Sequence, residues 1–159
     1  MHWLAHYNER TTMKYVSLLA RLIVGGTLLV AGALKIGHFD ALASTIASYR
    51  IPFLAPAVIA PISVAIPLIE VLLGAYLLIG LYTRLIGLLA LCELAIFAAA
   101  VASVVMRGIP ASCGCFGPGD TRPASWIEVA RDVGLAALAA FIVWRGPGVL
   151  ALDQRMHEQ

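Results

Sequence analysis

Two cysteines separated by a single glycine, Cys113-Gly114-Cys115, stand in the run Ile109-Pro-Ala-Ser-Cys-Gly-Cys-Phe-Gly-Pro-Gly-Asp120. α-Carbons two residues apart lie roughly 5.5 to 7 Å from one another, overlapping the roughly 4.4 to 6.8 Å that a disulfide spans, so the pair can close a local, strained ring. A strained disulfide is easily reduced. Gly114 lets the backbone bend with no side chain in the way, and the flanking Pro and Gly residues disfavour a helix, so the pair belongs in a loop open to a partner. A structural staple normally joins distant segments, where the loop-closure entropy it removes is largest; this one would remove little. Three chemistries fit: a redox-active dithiol, a soft-metal thiolate site with His38 as third ligand to Cys113 and Cys115, or a clip on a turn.

The elements that must position this loop are those of a membrane protein. Hydrophobic residues make up 61% and charged residues 13% of the chain, against about 45–50% and 25% in soluble domains. A length of 159 residues leaves room for one domain, 1–159. The net charge of +2 has no basic tract behind it, so the lipid bilayer is a partner and nucleic acid is not. The expected fold is all-α: a four-helix transmembrane bundle with spans near 16–36, 62–81, 84–107 and 125–145, each close to the about 20 residues that cross a hydrocarbon layer. Leu81 to Arg84 form a tight turn, which makes the second and third helices antiparallel neighbours. Pro123, Ser125 and Glu128 carry the pattern of a capping box at the start of the fourth. The first apolar segment is too long for a signal-peptide core and reads as a retained anchor.

Four spans put both termini on one side and the first and third connections on the other. The connection 37–61 then shares its side with the cysteine loop, and Phe39, Leu42, Ile46 and Tyr49 recur in it at helical spacing. That pattern predicts a short amphipathic helix lying at the interface, able to cover the dithiol. Arg10, Lys14, Arg84, Arg145 and Arg155 on the terminal side face Lys35, Arg50, Arg107 and Arg122, a slight positive-inside bias. A disulfide persists in an oxidising compartment, so the termini are expected in the cytoplasm and the cysteine loop outside.

Charged residues within spans usually face the bundle interior or a cavity. Glu70 lies deep in the second helix, and Pro67 before it cannot donate to the carbonyl of Ser63, which opens a polar pocket. On the fourth helix Glu128, Arg131 and Asp132 share a face, where Glu128 and Arg131 can pair. Helix directions bring Glu70, Lys35, Arg131 and Asp132 into the half nearest the cysteines. They serve either as an ion-pair network fixing helix register or as groups that relay protons and favour a thiolate. Arg21 and Glu93 fall in the other half and can pair there, while Cys92 reads as buried packing.

Arg21-Leu-Ile-Val-Gly-Gly through Ala31-Gly-Ala-Leu-Lys35, the Pro67-Leu-Ile-Glu70 step, the Cys113-Gly114-Cys115-Phe116-Gly117 loop and the Arg131-Asp132 pair together resemble the MauE branch of the DoxX-like membrane proteins. The similarity runs from Val16 to Arg145, and the Cys-Gly-Cys-Phe-Gly loop is its specific element. It implies a redox-associated four-helix protein of the bacterial inner membrane, tied to maturation of disulfide-rich methylamine dehydrogenase beside a thioredoxin-like extracytoplasmic partner. Three functions follow as expectations. In the first, a thiol-disulfide oxidoreductase cycles Cys113 and Cys115, supported by Gly114, Phe116, Gly117, Glu70, Lys35, Arg131 and Asp132; it needs no cofactor beyond the disulfide, with a quinone as an open possibility for electron partner. The second is a small accessory subunit of a larger assembly with other integral membrane subunits. The third is copper handling.

Overall fold

Apolar runs of Leu, Ile, Val and Ala become helices in a membrane because a backbone without water must satisfy its own hydrogen bonds. The computed structural model describes residues 2–52, 54–117, 122–146, 148 and 151–152, with side chains from Met13 onward. Among the described residues the chain is all-helical: α1 (His2–Lys35), α2 (Phe39–Ser48), α3 (Pro56–Ile79), α4 (Thr83–Met106) and α5 (Trp126–Arg145). The short helix expected in the first connection is α2. The second helix begins at Pro56 rather than Ile62, since a proline near the first helical position has no intrahelical bond to lose. It ends at Gly80, whose left-handed φ of +75° lets its N–H return to the Tyr76 carbonyl at 2.9 Å. α5 opens as its sequence predicts: the Ser125 hydroxyl accepts from Ile127 N–H at 3.2 Å, and Glu128 Oε2 accepts from Ser125 N–H at 2.8 Å.

Three described helices are long and apolar enough to cross a membrane: Met13–Lys35 within α1, then α3 and α4. The fourth expected span, 125–145, is a helix of the expected extent, but Glu128, Arg131 and Asp132 in its first two turns set α5 apart from those three. It nevertheless belongs to the same core. Ala20, Val24 and Leu28 of α1, Leu73 and Leu77 of α3, Ala90 and Leu94 of α4, and Ala139 and Ile142 of α5 form one buried cluster. α1 packs along α3 and α4 along α5, whereas α3 and α4 meet along less of their length. The α1–α3 crossing depends on small residues: a Cβ on Gly74 would sit 2.6 Å from the Leu29 nitrogen and 2.7 Å from the Gly25 carbonyl oxygen.

A second cluster sits at one end of the bundle. Tyr49, Val101, Val104, Ala111 and Cys113 are buried together, with Cys115, Ala124 and Val129 packed against them. The loop between α4 and α5 is closed at its base, where Ala124 N–H donates to the Ala111 carbonyl at 2.9 Å and Ser112 bridges to Pro123. The described part of the cysteine loop thus packs into a second core that it shares with Tyr49 and the end of α4.

Candidate functional site

Cys113 and Cys115 are joined by a disulfide, with α-carbons 5.3 Å apart. The two residues differ in exposure. Cys113 is buried at 8% exposure, whereas Cys115 is half-buried. Gly114 between them has φ +65°, and a Cβ there would lie 2.9 Å from Cγ2 of Thr45. The α2 helix thus lies directly on the Cys-Gly-Cys turn and covers it. Gly117 has φ +79°, and a Cβ there would lie 2.7 Å from the Leu34 carbonyl oxygen, so its bare backbone seats the loop on the end of α1. Gly114→Ala should lose about 1–3 kcal/mol of stability, since the left-handed backbone strains any L side chain and the methyl meets Thr45. Thermal unfolding in detergent checks this. Adding Thr45→Ser removes Cγ2 and should recover the steric part only.

Tyr49 and Arg107 fasten the cover. The Tyr49 hydroxyl donates to the carbonyls of Cys113 at 2.8 Å and Ser112 at 3.3 Å. Burial, and then the charge of Asp132, push its phenol up from 10.0 to about 12, so it remains a donor throughout the physiological range. Because the folded state holds this proton more tightly, the contribution is constant below about pH 10 and falls as pH rises toward 12. Arg107 donates to the carbonyls of Tyr49 at 2.5 Å and Arg50 at 3.0 Å, tying the end of α4 to the end of α2. Sequence reading placed Tyr49 on an apolar stripe; its polar tip at the end of that stripe was the available signal. For Thr45 and Arg107 spacing offers no such signal.

Beneath the disulfide lies Arg131. Its Nη2 is 3.7 Å from Cys113 Sγ, and its guanidinium lies 5.0 Å from the centre of the Phe116 ring. Asp132 Oδ1 accepts both Nε at 2.9 Å and Nη2 at 2.8 Å from Arg131. The pairing of Arg131 with Glu128 suggested by their spacing gives way to this one, because the Glu128 carboxylate is engaged at the helix cap. A fixed cation beside Cys113 favours its sulfur as a thiolate once the disulfide opens.

Lys35 at the end of α1 donates to Glu70 Oε1 at 2.5 Å, and its ammonium lies 5.3 Å from the centre of the Phe97 ring. Both residues are buried, at 3% and 1% exposure. Glu70 Oε2 and Asp132 Oδ2 are buried without a hydrogen-bond partner among the described residues. A cavity of about 590 Å³ connects these groups: Cys113, Gly114, Cys115 and Phe116 line it, as do Lys35, Glu70, Arg131 and Asp132. Of the residues singled out in sequence, only Gly117 among the supporting group stands off the cavity wall.

Other placements differ from expectation. Arg21 donates to the carbonyls of Leu77 at 2.9 Å and Leu78 at 3.3 Å near the end of α3. Glu93, its expected partner, has Glu70 and Lys35 as its electrostatic neighbours, because it sits at their depth. Cys92 is exposed on the outer face of α4 rather than buried. His38 precedes α2, and among the described residues no three His, Cys, Asp or Glu side chains gather closely enough to hold a metal ion.

The family described as "Methylamine utilisation protein MauE" matches residues 13–145. The methylamine utilization protein MauE of Paracoccus denitrificans is 35% identical over 118 residues, which is 72% of this chain and 62% of that protein. The chain therefore spans less than two thirds of that relative's length. No solved structure matches. The family match begins where the apolar part of α1 begins, ends with α5, and encloses the disulfide loop, the cavity and both ion pairs. With three helices apolar enough to span a bilayer, this chain is a multi-pass membrane protein and belongs to the MauE family.

Proposed function

We propose that this chain is a thiol-disulfide redox protein of the bacterial inner membrane, in which Cys113 and Cys115 exchange electrons with a thioredoxin-like protein outside the membrane and so support maturation of a disulfide-containing client in methylamine utilisation. The observation that carries this reading is the asymmetry of the disulfide. Cys115, the more exposed residue, is the one an attacking thiolate would meet, while Cys113 is the buried leaving group beside the Arg131 cation. Exchange proceeds through a mixed disulfide, and a stabilised leaving thiolate departs faster. Asp132 orients Arg131, and Phe116 carries its guanidinium face. The chain acts as one membrane domain in which α5 is the fourth crossing, with Arg131 and Asp132 turned to the cavity rather than to lipid and Glu128 engaged at the helix cap. Both termini lie in the cytoplasm and the cysteine loop outside.

The test is made in right-side-out vesicles treated with reduced thioredoxin and then with a membrane-impermeant maleimide of defined mass. Two labels on Cys113 and Cys115 are expected before lysis. Labelling only after lysis would overturn the orientation, and no labelling of folded protein under either condition would overturn the redox role.

A further inference from the structure

The cavity holds more than the exchange with a soluble partner requires. Its volume of about 590 Å³ falls in the range of small-molecule sites, about 300–1,000 Å³, and its wall is overwhelmingly apolar. The disulfide is part of that wall. Ile62 and Ile66 of α3 and Ile96 and Ala99 of α4 all line it, and these two helices meet along little of their length. Ile96 is 67% exposed and near the middle of α4, so the cavity communicates with the outside of the bundle at the depth of the hydrocarbon. Its visitor comes from the membrane.

A lipid acyl chain would fill such a space but would offer nothing to Glu70 Oε2 and Asp132 Oδ2, both buried and without a hydrogen-bond partner among the described residues. On an apolar ring, the hydroxyls of a quinol can donate to these two oxygens, and the carbonyls of the corresponding quinone can accept from the Lys35 ammonium and the Arg131 guanidinium. We infer that the cavity is a site for a lipid-soluble quinone that reoxidises the Cys113–Cys115 dithiol. This rests on the redox reading above and gives it a direction. A partner dithiol reduces the disulfide; the two cysteine thiols then give two electrons and two protons to the quinone, the S–S bond re-forms, and the quinone leaves as quinol. The carboxylates of Glu70 and Asp132 stand where those protons must pass.

The test uses the full chain in nanodiscs, reduced, freed of reductant and mixed anaerobically with a fully substituted benzoquinone bearing a short isoprenoid tail, whose ring has no free carbon for thiol addition. Quinol absorbance and remaining thiols are followed together, and exchange with thioredoxin is measured on the same preparation. One quinol per two thiols is expected, at a rate that saturates with quinone and falls about tenfold or more in Ile66→Trp or Ile62→Trp, which enlarge side chains on the cavity wall. A slow, unsaturable rate equal to that of denatured protein, with thioredoxin exchange intact, would overturn the quinone site and leave the redox reading standing. Absence of both reactions would overturn the redox reading itself.

Discussion

Serine at either Cys113 or Cys115 is expected to lower disulfide exchange by at least about a hundredfold, because without a second sulfur the mixed disulfide cannot resolve. The loss should come without unfolding. The loop has other fastenings: the Ala124 to Ala111 hydrogen bond, the Tyr49 hydroxyl on the Cys113 carbonyl, and the Arg107 clamp on α2. The disulfide closes a ring between residues only two apart and so removes little entropy from the unfolded chain. Both variants should therefore accumulate in the membrane and unfold near the wild-type temperature. Exchange rates with thioredoxin, measured beside thermal unfolding, check both halves. Full exchange in the two single variants would leave the pair a turn clip.

Lys35→Met should be the most destabilising single substitution in the bundle, by about 3–5 kcal/mol, because it strands the Glu70 carboxylate without its counter-charge. Glu70 is already at its limit, since Oε2 has no hydrogen-bond partner among the described residues and Gly32 holds α1 tight against Pro67 beside it. The double variant Lys35→Met with Glu70→Leu should recover most of the loss, as apolar replacements of a buried pair often do. Unfolding of the two variants in matched detergent is the measurement. Glu70→Gln keeps the shape and most of the hydrogen bonding, so it separates architecture from chemistry. If Glu70 takes part in proton movement, the potential of the Cys113–Cys115 couple against pH will change in Glu70→Gln; superimposable curves would confine the pair to holding the helices.

The helices were legible because their signals are local. The Ser125 and Glu128 cap, the Leu81 to Arg84 turn and the apolar stripe of α2 each lie within a few residues of the backbone they shape. Helix direction alone was also enough to gather Lys35, Glu70, Arg131 and Asp132 at the end that carries the cysteines. What spacing could not resolve was competition for partners. Glu128 was equally placed to cap its helix or to pair with Arg131, and the free N-terminal amides of α5 decided it. Arg21 likewise turned to the carbonyls at the end of α3, because a chain end elsewhere in the sequence supplies acceptors that no local pattern reveals. The cavity was beyond reach for the same reason. Its walls come from α1, α2, α3, α4, α5 and the cysteine loop, and a void between elements leaves no mark on any one of them.

The unequal exposure of the two cysteines leads to the most direct test of the redox role. Cys113→Ser leaves the accessible Cys115 with no internal thiol to resolve a mixed disulfide, whereas Cys115→Ser leaves only the buried Cys113. Each variant is expressed in its native membrane, quenched with acid, alkylated and separated without reductant, and any adduct is identified by mass after reduction. Cys113→Ser should accumulate a reducible adduct with a thioredoxin-like extracytoplasmic protein, and Cys115→Ser should accumulate far less. No adduct in Cys113→Ser, with Cys115 found as a free thiol in folded protein, would contradict the account.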